Sequence, residues 1–193
     1  MLKWLLLITL ALVQTILTTG CSTKVSVQEV LQMPMNTKIY TNGNIWYEDP
    51  EDISSLNYQK GKILPFGTEI EPIEADSKSL TFRDKETGQK YCINVDSSFM
   101  MIPAEFYYKN LLTTKTKNEI IEGIQTSVVE KISKGVIEEG MTRREVLLAY
   151  GFPVAHRTPS IKEDTWVYWT DKLSTLRVVF KGDKVVAILK FKD

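Results

Sequence analysis

The chain's one histidine, His156, sits in the segment Phe-Pro-Val-Ala-His-Arg-Thr-Pro-Ser that runs from Phe152 to Ser160. An imidazole near hydroxyls and a carboxylate can serve as a general base, and Thr158, Ser160 and Asp164 all follow within a few residues. A hydrolytic centre, however, draws its nucleophile, base and orienting group from separate elements, and neighbours within one loop rarely meet in that geometry. No Gly-x-Ser-x-Gly elbow occurs in the chain. One histidine and two cysteines, Cys21 and Cys92, cannot supply a zinc set, and glycine patterns for phosphate or dinucleotide binding are missing. Asp84 and Glu86 in Arg-Asp-Lys-Glu-Thr-Gly-Gln read as a solvated hairpin turn rather than a cation loop. These residues predict no catalytic centre, no metal and no cofactor.

Recognition is the other chemistry they can do. Pro153 and Pro159 stiffen the loop. In one reading His156 and Arg157 bond backbone carbonyls or cover an aromatic ring; in the other they join Phe152 in an aromatic and cationic edge of the kind enriched at binding hot spots. Thr-Trp-Val-Tyr-Trp at 165–169 raises the same choice, because strand alternation buries one face and turns the other outward. Trp166 with Tyr168, or Val167 with Trp169, is exposed unless something covers it. Phe152, His156, Arg157, Trp166 and Trp169 are therefore the candidate partner-binding residues. A second candidate set, Trp46, Tyr47 and Tyr58, lies in a strand-rich region and suits an envelope ligand such as peptidoglycan. Nucleic acid is not expected, since Lys+Arg and Asp+Glu both number 24 and leave no net field.

Several elements must position these residues. Residues 36–108 alternate apolar and polar side chains with turn chemistry between the runs, which predicts a small β-rich domain resembling an SH3-like barrel. Within it Asn42-Gly43 predicts a tight hairpin turn, Pro72 an edge strand, and Tyr91, Ile93 and Val95 one shared core face. Cys92 in the same run is expected to be a small buried hydrophobe. Residues 109–118, with the polar run Thr-Thr-Lys-Thr-Lys-Asn, predict a linker. Beyond it Ile120, Ile124, Val128, Ile132 and Val136 recur every four residues and predict one apolar helical stripe, with Gly135 at its end. Thr142 and Glu145 predict a capping box, Gly151 and Pro153 a stop, and Val146, Leu147 and Tyr150 the inward face of a helix over 143–150. Three strands follow, the last two joined at Gly182-Asp183. Residues 119–193 thus predict an α+β domain of two helices on a three-stranded antiparallel sheet.

The start of the chain carries a different signal. Lys3 precedes a mostly apolar stretch, Trp4 to Leu17, that is too short for the roughly 18 residues of a membrane span and suits a signal peptide over residues 1–20. Leu-Thr-Thr-Gly-Cys, ending at Cys21, resembles the lipobox of bacterial lipoproteins. The resemblance implies thioether lipidation of Cys21, membrane attachment through the acyl chains, and, with Ser22 next, an outer-membrane location. The alternative is an ordinary secretory signal with a chance cysteine. Residues 21–35 are expected to be a tether without packed elements.

Gly140, Met141, Thr142, Glu145, Val146, Gly151, Pro153, Trp166 and Tyr168, with the terminal hairpin, resemble the SmpA/OmlA domain of BamE-like outer-membrane lipoproteins over about residues 134–193. That resemblance implies an α-α-β-β-β fold without a catalytic centre, acting as a protein-binding accessory toward envelope proteins such as the barrel-assembly machinery. The β-rich domain is an addition to the small family pattern.

Overall fold

The computed structural model describes residue 24 and residues 26–192, so the expected leader of residues 1–20 and the lipidation candidate Cys21 lie outside the described residues. The fold is mixed α+β: a curled, half-barrel sheet and a three-stranded sheet, with helices packed on both.

The first sheet uses β1 (Ile39–Thr41), β3 (Ile53–Ser54), β5 (Glu69–Ala75), β6 (Ser79–Asp84), β7 (Lys90–Asn94) and β8 (Leu112–Thr113), in the order β3-β7-β6-β5-β1-β8. A separate ribbon pairs β2 (Ile45–Tyr47) with β4 (Lys62–Leu64). Alternation along β6 and β7 puts Leu80, Phe82, Tyr91 and Ile93 in the core, with Val95 packed at its margin. The β6–β7 turn closes because the Asp84 carboxylate accepts the backbone N–H of Glu86 at 2.8 Å and the Thr87 hydroxyl at 2.7 Å. Cys92 alternates away from this core and is half-buried, so its expected burial is not found.

Asn42-Gly43 makes no hairpin. β1 pairs with β5 and β8, β2 pairs with β4, and the segment between them crosses from the first sheet toward the C-terminal helices. Asn42 N–H donates to Leu111 O, Asn44 N–H donates to Leu148 O, and an added Cβ on Gly43 would stand 2.8 Å from Leu147 O. The glycine is therefore used for close approach of two backbones rather than for a turn. Pro72 falls inside β5, yet β1 shares only Glu69 and Ile70 with that strand. Proline thus avoids the doubly paired stretch, and a register shift follows between Pro72 and Glu74.

The described part of the expected tether and the expected linker are both built into the fold. Helix α1 (Val27–Val30) is capped by Ser26 and buries Val27 and Val30 in the first core. After α2 (Ser97–Met100) and α3 (Ala104–Leu111), the chain enters β8, where Leu112 and Thr113 pair with Thr41 and Tyr40. The buried Leu112, with Thr113 at the head of the polar run, extends the sheet.

The predicted stripe is two helices, not one. α4 (Lys117–Ile121) starts at a Thr116/Glu119 capping box and stops at Gly123, whose φ is +78°; α5 (Thr126–Ser133) then begins in a new direction. Ile120 and Ile132 are buried, whereas Val136 is exposed. α6 (Arg143–Tyr150) has both arms of its capping box: Thr142 Oγ1 accepts Glu145 N–H, and Glu145 Oε2 accepts Thr142 N–H at 2.6 Å. It buries Val146, Leu148 and Ala149, while Leu147 and Tyr150 are only half-buried because they face the seam with the first unit.

β9 (Thr165–Asp171), β10 (Ser174–Lys181) and β11 (Lys184–Lys192) form the antiparallel sheet, in the order β11-β10-β9. Trp166, Tyr168, Leu176, Val178, Phe180 and Val185 pack beneath α4, α5 and α6 in the second core, which also takes Phe66 from the first unit. Asn44 is the bolt between the halves. Its amide donates to Ile132 O at 2.6 Å and Ala149 O at 3.2 Å, and its Oδ1 accepts Phe66 N–H at 3.0 Å.

Candidate recognition surface

The loop after α6 is held from both sides. Gly151, at φ +75°, and Pro153 end the helix, and Val154 then plugs into the first core at 3 % exposure. The N–H groups of Arg157 and Thr158 fold back to Val154 O at 3.1 and 3.0 Å. His156 N–H donates to Phe99 O, and the buried Thr158 hydroxyl accepts Val167 N–H at 2.9 Å. A segment tied to α2 on one side and β9 on the other presents its exposed side chains in one orientation.

His156, Arg157 and Pro159 are those exposed side chains. The imidazole meets Phe99 edge-on at 5.3 Å, Phe99 meets Trp169 at 6.2 Å, and the Arg157 guanidinium lies 5.6 Å over Trp169. The structure thus joins His156, Arg157 and Trp169 and adds Phe99, which the sequence reading missed. Its only local signal is Asp96, whose carboxylate caps α2 and so fixes where Phe99 points. Phe152 departs from the group: it lines a small cavity at the seam with Asn42, Gly43, Asn44 and Tyr107.

Trp166 is not a contact residue. It has 0 % exposure, its Nε1 donates to Ile161 O at 3.2 Å, and its ring meets Phe180 at 4.6 Å, with the Arg143 guanidinium over both rings at 5.3 and 4.4 Å. Arg143, at the start of α6, bends over this tryptophan and bonds Gly182 O, Ile161 O and Glu163 O. The opposite face of β9, Val167 and Trp169, is covered by the 152–160 loop and the first core.

The residues that could have assisted His156 are engaged elsewhere. Thr158 Oγ1 serves β9, Ser160 Oγ accepts Lys162 N–H, and Asp164 accepts Arg143 at 3.2 Å. The hydrolytic grouping weighed from sequence is not brought together. No group of three or more His, Cys, Asp or Glu suited to a metal occurs among the described residues. Nor is any described helix long and apolar enough to cross a membrane.

Trp46, Tyr47 and Tyr58 do come together. They line one cleft of about 250 Å³ with Glu48, Asp52, Lys60 and Lys172. Trp46 meets Tyr150 edge-on at 6.3 Å and Tyr47 meets Tyr91 at 5.4 Å, so both rings are braced from behind. Trp46 fits only because residue 135 is glycine, where an added Cβ would fall 2.1 Å from the indole. Burial raises the Tyr58 phenol above its ordinary value, with Asp96 and Asp171 adding to the effect, so its hydroxyl is a neutral hydrogen-bonding group.

Compared with protein-family models, curated protein sequences and solved structures, the chain finds no match in any of the three. The functional reading therefore rests on the geometry above.

Proposed function

We propose that the chain is a lipid-anchored accessory protein of the outer membrane that binds another envelope protein through the surface of Phe99, His156, Arg157 and Trp169. The carrying observation is that this surface is assembled from both halves and locked before any partner arrives: a backbone bond joins His156 to Phe99, and Thr158 joins the loop to β9. A preformed patch of exposed imidazole and guanidinium over aromatic rings binds with little ordering cost. The order α5, capped α6 and three antiparallel strands supports the BamE-like reading of residues 119–193, and the Cys21 segment supports the anchor. A photo-crosslinking amino acid placed at 156 and, separately, at 157 in cells is expected to yield a discrete adduct with one envelope protein. A folded, anchored protein that gives no adduct at either position would end this reading.

A second reading has its own observation. The cleft of Trp46, Tyr47 and Tyr58 joins aromatic rings, carboxylates and amines in a concave site suited to a polar polymer such as peptidoglycan. If it operates, the full chain sediments with purified cell wall and Tyr58→Ser reduces that fraction. Full retention of the chain in the supernatant would dismiss it.

A further inference from the structure

One edge of the C-terminal sheet, and the β11 end of its face away from the helices, stay open among the described residues. Register places Trp169, Thr175 and Phe191 in one row and Val167, Arg177 and Leu189 in the next, all on the side away from the helices. The 152–160 loop shelters the β9 end of these rows, but Leu189 and Phe191 at the β11 end are 46 % and 37 % exposed. The Arg177 guanidinium lies 4.3 Å over the Phe191 ring, while its Nε and the Thr175 hydroxyl are buried without a hydrogen-bond partner among the described residues. The outer backbone edge of β11 is occupied only at its start, where Val185 exchanges bonds with Gly140 and Met141 at 2.8 Å. From Val186 to Lys192 that edge has no backbone partner among the described residues.

The charges on this hairpin are one-sided. Residues 174–193 hold Arg177, Lys181, Lys184, Lys190 and Lys192 against the two carboxylates of Asp183 and Asp193, in a chain whose overall charge is balanced. Along β11 the lysines alternate with the exposed apolar residues: Leu189 and Phe191 lie on the outer face, and Lys190 and Lys192, opposite Leu176 and Ser174, lie on the other. A second copy would bring a further set of lysines to this basic hairpin, whereas a strand bearing carboxylates would neutralise them.

We propose that the open edge of β11 receives an extended segment of a partner polypeptide in which carboxylates alternate with apolar residues. The added strand completes the ladder from Val186 to Lys192, its apolar side chains cover Leu189 and Phe191, and its carboxylates meet Lys190 and Lys192. This deepens the protein-binding reading by naming the chemistry of the partner segment, and it rests on that reading for its biological setting.

The test uses the full chain with two synthetic peptides, one alternating glutamate with valine and one alternating lysine with valine. Amide hydrogen exchange is expected to slow across 186–192 with the glutamate peptide and not with the lysine peptide. The double substitution Lys190→Glu with Lys192→Glu is expected to weaken the glutamate peptide about tenfold and to admit the lysine peptide. Equal binding of both peptides, binding that leaves 186–192 unprotected, or self-association that protects the same amides would overturn the proposal. An envelope adduct at 156 in a protein whose β11 edge fails these tests would remove this inference alone and leave the proposed function standing.

Discussion

Strands β9 and β11 belong to one sheet and share an alternating, apolar composition, yet one is closed on both faces and the other is open on a face and an edge. Trp166 and Tyr168 of β9 sit under the helices, and Val167 and Trp169 on its reverse are covered by the 152–160 loop and the first core. β11 has the helices behind Val185, while Leu189 and Phe191 on its reverse are exposed beside Arg177, whose guanidinium lies over the Phe191 ring. Whether a strand's second face is available for binding is decided by which distant segment returns over it. Trp166, the larger ring, is fully buried, and Phe191 is the exposed one.

Substitutions can break this contrast, beginning with the closed strand. Trp166→Ala removes a fully buried ring and the platform for Arg143, and is expected to cost about 3–5 kcal/mol of unfolding free energy, measured by urea titration. Asn44→Ala leaves two buried carbonyls and one N–H without their side-chain partner, and an effect of about 3 kcal/mol is expected. If Asn44 joins the halves, the variant also unfolds less cooperatively; an unchanged, single transition would show that the halves are held chiefly by their apolar contacts.

Helix caps and phenols sharpen the contrast at smaller scale. Thr142→Ala should cost about 1 kcal/mol, and Thr116→Ala less, because its capping box is at an exposed corner. Burial holds the phenols of Tyr107 and Tyr168 above the ordinary value of 10.0, one in each half. A raised folded value means stability is fully present below that pH and falls as pH climbs from it toward the folded value, by about 1.4 kcal/mol per pH unit for each phenol. Alkaline melts of Tyr107→Phe and Tyr168→Phe should each lose part of that slope; an unaltered profile would mean the phenols titrate freely. The smallest effect belongs to the open strand: Leu189→Ser should change stability by no more than about 0.5 kcal/mol in the same urea titration.

Part of the candidate surface was legible in the sequence. His156 and Arg157 stood out because prolines flank an imidazole and a guanidinium in a loop, and both are exposed as a binding reading requires. Trp169 was expected on a strand face, but Phe99 was not, since it reaches the site from residues more than fifty positions earlier through a backbone bond to His156. Trp166 was misplaced for a related reason: alternation separates two faces without saying which lies beneath the helices. The failed hairpin at Asn42-Gly43 has the same origin. Asn-Gly favours a turn when nothing competes, and here Leu111, Leu148 and Ile132 offer the asparagines better partners across the fold.

What the sequence by itself determined are the features whose hydrogen bonds close within a few residues. The Thr142/Glu145 box, the Asp84 turn and the stop at Gly151-Pro153 need only neighbours along the chain, so their free energy is written locally. Only the tertiary structure decided that a polar run would become the sixth strand of a sheet, that an apolar stripe would break at Gly123, and that β9 would be covered while β11 was left open. Those outcomes depend on loop closure and on burial shared between segments far apart, and each is set by which distant surfaces complement one another once the cores have formed.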